Sequence, residues 1–158
     1  MKKFFLLLCL VLLIIPSTAL AAVPQISYDK QTFDPVSGVY YLEGHVTVGV
    51  GDCTIKANRA QVKMYTMEVH AEGNIHLTQD DIDFSGETVD VVGNAKTAYV
   101  QGNLKFIQGD TIITSDNGTF NWDSKEASFV NNVHFVSPAQ KVNSDKLVYN
   151  VVDKKIIG

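Results

Sequence analysis

Apolar residues return along this chain at a fixed spacing of 29 residues. Four segments show the pattern most clearly, and each places alternating apolar residues after a glycine or asparagine: 42–48, 71–77, 100–106 and 129–135. Further apolar positions keep the same spacing, at residues 26, 55, 84, 113 and 142 and at residues 33, 62, 91, 120 and 149. A fixed period of this length indicates stacked units that bury their apolar faces against one another. We count five units, beginning near Ile26.

Within a unit the apolar period is two residues. In the first unit Leu42, Val46 and Val48 share one face, while Glu43 and Thr47 share the other. Such alternation is typical of a half-buried β-strand. A second strand is predicted over residues 52–62, with a bulge or bend in its middle where the alternation changes phase. No stretch shows helical spacing over enough length for a helix.

Turn residues recur between the predicted strands. Glycine, asparagine or aspartate occurs in each of the segments 49–52, 79–81 and 109–110 and again in 93–96 and 122–125. These residues supply the backbone angles that chain reversals require. The chain is therefore predicted to be all-β, with five two-strand units that give about nine to eleven antiparallel strands.

The N-terminus has the features of a secretory signal peptide. Lys2 and Lys3 precede an uninterrupted apolar run over residues 4–15, and small residues occupy 19 and 21. We predict cleavage after Ala21, which divides the chain into a signal peptide, 1–21, and one domain, 22–158. An uncleaved N-terminal anchor is the alternative. Cys53 is then the single cysteine of the mature chain, so no internal disulfide forms and the thiol is interpreted as a small core or turn residue.

Charge and motifs exclude several functions. The formal net charge is −4, and the loss of Lys2 and Lys3 makes the mature chain more acidic. The remaining cations form no stripe, which argues against nucleic acid as a partner. No nucleophile motif or phosphate-binding loop is present, so we predict no enzyme and no cofactor. The histidines and the acidic residues at 80–83 are interpreted as solvated surface, because neither group has the ligand pattern of a metal site.

The repeated steps resemble a known family. The Glu-Gly-x-Val/Ile step at Glu43–Val46 and Glu72–Ile75, the aspartate that follows it and the Asp-x-Lys turn at 123–125 are similar to those of the OstA-like family of periplasmic lipopolysaccharide-transport proteins. The resemblance covers residues 26–158. It implies a twisted, open-ended antiparallel β-jelly roll with an apolar interior. One departure is Asn131, which stands where the other units have glycine and is expected to change the strand bend.

The resemblance also implies function. It implies a periplasmic protein that binds lipopolysaccharide or a related lipid and docks head to tail with like-folded inner-membrane and outer-membrane partners. The predicted lipid-binding residues are the inward apolar ones: Val46, Val48, Ile75, Leu77, Phe84, Leu104, Phe106, Ile113, Phe120, Phe129, Val133 and Phe135. A closed core made of the same side chains is the alternative. Small residues at 57, 86, 115 and 144 are expected to widen the groove.

The ends of an open roll are unpaired strand edges, which accept further strands. We predict docking at Ile26 on one edge and at Leu147, Val148 and Tyr149 on the other. Because the two edges differ, self-association through them would produce an open head-to-tail oligomer.

Two other functions remain open from the sequence. One is a structural or adhesive β-solenoid with a closed core, and the other is a polysaccharide-active enzyme on such a solenoid. A solenoid would coil in parallel rungs, whereas the turns found here predict antiparallel strands. An enzyme would align acidic residues at the outward mid-strand positions, which hold Lys56, Ser85, Thr114 and Asn143.

Overall fold

A computed structural model describes residues 25–158, which are almost entirely β-structure. The strands are β1 Ile26–Ser27, β2 Lys30–Asp34, β3 Val39–Val50, β4 Cys53–Lys63, β5 Glu68–Gln79, β6 Ile82–Val92, β7 Thr97–Gln108, β8 Thr111–Asn121, β9 Glu126–Val136, β10 Lys141–Asn150 and β11 Lys155–Ile156. One 3₁₀ turn, Gly93–Ala95, joins β6 to β7. Within the described residues no helix is long and apolar enough to cross a membrane. The predicted signal peptide lies outside them.

All eleven strands form one antiparallel sheet. From β3 to β11 each strand pairs with the next in sequence, while β1 and β2 both pair with β3. The first and last strands do not pair with each other, so the sheet is open at both ends. The predicted all-β, open-ended, antiparallel architecture is confirmed, as are the two-strand units and the strand number.

Each long strand is bent at its middle. In β3, β5, β7 and β9 two successive residues adopt left-handed backbone angles, and these are Gly44–His45, Gly73–Asn74, Gly102–Asn103 and Asn131–Asn132. Pairing registers shift beside every such bend, for example between Lys56 and Arg59. The expectation that Asn131 alters the bend is wrong: its φ is 63°, because asparagine tolerates the left-handed region that glycine occupies elsewhere.

The bends fold the sheet over its own apolar face. Neighbouring strands lie about 4.8 Å apart, so residues three strands apart in a flat sheet would be about 14 Å apart. The rings of Phe84 in β6 and Phe129 in β9 instead have centroids 6.2 Å apart. The bends thus divide the sheet into two arms, one on either side of the bend residues. The two arms enclose a single hydrophobic core that runs along the whole stack.

Candidate lipid-binding interior and docking edges

The inward residues predicted from the sequence are brought together. All twelve line the interior, and none is more than 3% exposed. Toward the C-terminal half, Phe106 is the centre of an aromatic cluster, with ring centroids 4.8 Å from Phe84, 5.6 Å from Phe129 and 5.6 Å from Tyr149. Toward the N-terminal half the lining is aliphatic, with residues such as Val46 and Leu77. The interior thus changes from aliphatic to aromatic along the stack.

Side chains fill this interior in the structure. The small residues do not widen it as expected, because neighbouring strands approach them. A methyl group placed on Gly86 would lie 2.7 Å from Val100 Cγ1 and 3.2 Å from the Gln101 carbonyl oxygen. Ser115 is buried, with its hydroxyl donating to the Asn117 carbonyl, whereas Ser144 is exposed.

One apolar cavity opens at the N-terminal end. Its volume is about 290 Å³, and its lining includes Ile26, Tyr40, Leu42 and Val62. Pockets that enclose drug-sized ligands measure about 300–1,000 Å³. The cavity therefore offers room for part of an acyl chain, next to the core residues Leu42 and Val62.

Turns from opposite ends of the strands meet where the two arms come together. Gln108 Nε2 donates to Asp81 Oδ1 and to the Val151 carbonyl oxygen, both at 2.9 Å. Lys154 Nζ donates to Asp81 Oδ2 at 2.8 Å, and the Tyr149 hydroxyl donates to Gln108 Oε1 at 3.1 Å. We call these contacts of Asp81, Gln108, Tyr149, Val151 and Lys154 the seam cluster. The hydrogen bonds from Lys154 and Gln108 lower the pKa of Asp81, and the bond to Asp81 raises the pKa of Lys154.

Trp122 and Cys53 also lie near the place where turns of the two arms meet. Trp122 is buried, and a methyl group on Gly51 would lie 3.0 Å from its indole nitrogen. Cys53 is buried, and burial together with the charge of Asp52 raises the pKa of its thiol to about 12. The thiol therefore stays protonated at neutral pH and is a poor nucleophile, which agrees with the interpretation of Cys53 as a core residue.

The histidines pair with single side chains on the surface. His45 contacts Asp29, His70 contacts Asp90, His76 contacts Asp83 and His134 contacts Asn143. Among residues 25–158, no three histidine, cysteine or acidic side chains converge as metal ligands would.

The two edges of the sheet are unlike. At the N-terminal edge Ile26 pairs with Val48, and the outer side of β1 and β2 lacks a neighbouring strand within the described residues. At the C-terminal edge the backbone of Val148 bonds to Ile157 and Gly158, and Tyr149 pairs with Ile156. The segment around β11 therefore covers part of the edge that the sequence predicted to be free. Among residues 25–158, the part of β10 that has no strand on its outer side is Lys141–Leu147.

A set of hydrogen bonds crosses the bends at the 29-residue period. The second left-handed residue of each bend is bonded to a polar side chain 16 positions earlier, and the pairs are His45–Asp29 at 2.7 Å, Asn74–Asn58 at 3.3 Å, Asn103–Glu87 at 2.7 Å and Asn132–Asp116 at 2.9 Å. We call these the bend pairs. Sequence reasoning missed them, although the repeat of residues 29, 58, 87 and 116 is the signal that could have revealed them.

Comparisons with known proteins agree with this geometry. The family described as LptA/(LptD N-terminal domain) LPS transport protein matches residues 54–156. Among solved structures, LptH, the LptA-homologous periplasmic component of the lipopolysaccharide transport device of Pseudomonas aeruginosa, superimposes with a TM-score of 0.67. It is 15% identical, and the match covers 72% of this chain and 94% of that one. This likeness shows a shared fold. No curated protein matches the sequence significantly.

Proposed function

Because the chain belongs to the LptA/(LptD N-terminal domain) family of LPS transport proteins, we propose that it is a periplasmic bridge protein that carries lipopolysaccharide, or a similar amphiphile, from the inner to the outer membrane. The signal peptide predicted over residues 1–21 would deliver it to that compartment. The proposed role is transport by binding, without catalysis or a cofactor.

The observation that carries the proposal is one apolar interior that continues through an open-ended stack. Each acyl methylene left in water costs about 0.8 kcal/mol, so a lipid that crosses an aqueous compartment needs apolar cover along its path. The buried residues of β3 to β10 make one continuous apolar interior between two strand edges, which supports the proposal of such a path. The twelve interior residues are accordingly proposed as the lipid contacts.

The interior must open to accept a lipid, because Phe84, Phe106 and Phe129 occupy it in this structure. The tip of an acyl chain would enter first at the apolar cavity of the N-terminal end, between Leu42 and Val62. Further entry would require the two arms of the sheet to separate. At the seam cluster, few polar contacts hold the arms together.

The strand edges are proposed as the joints of the bridge. Unpaired N–H and C=O groups favour the addition of another strand. The β1–β2 edge, with Ile26, and the β10 edge, near Leu147, would each receive a like-folded domain of a membrane partner. A second copy of this chain is the alternative occupant, and its addition would be head to tail because the edges differ.

Trp122 supplies a direct test of lipid entry, because it is the one tryptophan of the chain and is buried beside Gly51 at the contact between turns. Purified protein is titrated with lipopolysaccharide while indole emission and the thermal unfolding midpoint are recorded. Binding to the folded state should shift the emission and raise the midpoint, with about 2.7 kcal/mol of stabilisation at a ligand concentration 100 times the Kd.

Lipopolysaccharide stripped of its acyl chains is the matched control ligand and should produce neither change. Equal responses to both ligands would contradict binding in an apolar interior. No response to intact lipopolysaccharide would favour the second candidate function, a structural element of the envelope, for which the complete burial of the interior is the supporting observation.

A further inference from the structure

The series of bend pairs continues to a fifth position, Asp145, whose side chain has no such partner among the residues that the structure describes. Asp145 lies 29 residues beyond Asp116 and is exposed at the middle of β10. Asn58, Glu87 and Asp116 each accept a hydrogen bond from the strand that follows. Asp29, between β1 and β2, shares one with His45 of β3. Within residues 25–158, Asp145 has no side-chain hydrogen bond or ion pair, because the following strand, β11, reaches only Tyr149 and Asn150 in the ladder.

The backbone around Asp145 repeats the pattern that binds a strand elsewhere. In β8, the residues Ile112, Ile113, Thr114 and Asn117 pair with β9 across the bend. Their equivalents one period later are Lys141, Val142, Asn143 and Lys146 in the uncovered part of β10. Ile113 is fully buried, whereas its equivalent Val142 is only half-buried. At Val142 the outer side of β10 therefore lacks, among the described residues, a neighbouring strand like β9, which covers the equivalent Ile113 in the preceding unit.

We propose that the β10 edge recognises a partner strand by a polar contact at Asp145: the strand has a left-handed two-residue bend, and its second residue is an asparagine or histidine that donates to the Asp145 carboxylate. This inference rests on the proposed strand docking and adds the chemistry of the strand that docks. The apolar face of β10 determines which side chains of the partner strand point inward. The contact at the bend fixes the register of the partner strand against β10, because a slip by one residue would move the donor away from Asp145.

The bend pairs also favour such a strand over a second copy of this chain. The edge of a second copy is formed by β1 and β2, and the residue there at the register position of Asp145 is Asp29, which already bonds to His45. A carboxylate at that position cannot donate a hydrogen bond to the carboxylate of Asp145, and like charges that face each other destabilise a strand pair. The matching strand is of the kind found in β3, β5, β7 and β9.

The chain itself provides the probe. A labelled peptide that copies Ser128–Val136 of β9 contains the Asn131–Asn132 bend and carries the side chains that pair with Thr114 and Asn117 in the protein. Its affinity for the full chain is measured by fluorescence anisotropy and compared with that of the same peptide carrying Asn132→Asp. The asparagine peptide should bind about tenfold more tightly, because the aspartate peptide replaces a charge-assisted hydrogen bond by repulsion.

A protein variant completes the comparison. Asp145→Asn should abolish the preference for the asparagine peptide, since its amide can donate to the aspartate peptide. Asp110→Asn, an exposed substitution in the turn after β7, is the matched control and should keep the tenfold preference. Equal binding of both peptides to the wild-type chain would overturn the role of Asp145 and leave strand docking intact. Failure of both peptides to bind would overturn docking at this edge itself, and self-association of the chain at the edge would replace the proposed partner by a second copy.

Discussion

Substitutions of single interior residues are expected to have the largest effects on stability, because these side chains are buried in a packed core. Phe106 is fully buried among three aromatic rings, whereas its neighbour Lys105 is exposed on the opposite face of β7. Adjacent strand residues thus differ in role, as the period of two predicts.

Phe106→Ala should lower the free energy of unfolding by about 3–5 kcal/mol, because it removes buried apolar surface and leaves a cavity. Lys105→Ala should change it by no more than about 0.5 kcal/mol. Urea unfolding monitored by circular dichroism measures both values. Similar losses in the two variants would show that β7 does not present Phe106 to a packed core.

The left-handed bend residues provide a second prediction at this scale. Gly102 has a φ of +78°, and a methyl group there would lie 2.8 Å from Glu87 Cβ, whereas Gly109 has a φ of +56° with open space around it. Gly109→Ala should cost about 1–2 kcal/mol for the backbone conformation alone. Gly102→Ala should cost more, since steric overlap adds to that strain. Equal unfolding free energies of the two variants would contradict the close crossing at the bend.

At the scale of elements, the seam cluster joins turns that lie far apart in sequence. Asp81 follows β5, while Lys154 precedes β11, so their ion pair forms only when the arms of the sheet come together. The low pKa of Asp81 ties this contact to pH. Its stabilising effect is complete above the ordinary pKa of 3.8 and disappears as the pH falls through the lower pKa of the folded protein.

Asp81→Asn should therefore lower the thermal midpoint at pH 7, and the difference from wild type should shrink once the pH falls below the pKa of Asp81 in the folded protein. Differential scanning calorimetry at a series of pH values measures this difference, with Asp110→Asn, in the turn between β7 and β8, as the control. A difference that stays constant down to strongly acidic pH would show that ionised Asp81 does not hold the seam.

The elements also show how far the sequence could predict the structure. The spacing of 29 residues and the period of two placed the strands, their antiparallel order and all twelve interior residues, because both patterns record which side chains face the core. The seam cluster could not be predicted this way, since the twist that brings Lys154 to Asp81 depends on the sum of many bends. The cover of Val148 by Ile157 was missed because the final segment is too short to show alternation.

At the scale of the whole molecule, the open stack unites the proposed lipid path with its proposed joints. The interior runs from the aliphatic end, near Val46, to the aromatic cluster around Phe106, and each end of the sheet has a strand edge. A closed barrel would protect its edges but could not extend its interior into another molecule. The open sheet makes continuation of the apolar path possible wherever a like-folded domain adds its strands.

The proposed contact of lipid with the interior face during transport is tested most directly by site-specific photo-crosslinking in living cells. A photoreactive phenylalanine analogue replaces Phe106 in one strain and Lys105 in another, so the probes are adjacent in sequence but face opposite sides of β7. We predict a lipopolysaccharide adduct from position 106 and none from position 105. Lipid adducts from both positions, or only protein adducts from position 106 although the variant is folded, would contradict the proposed lipid contact.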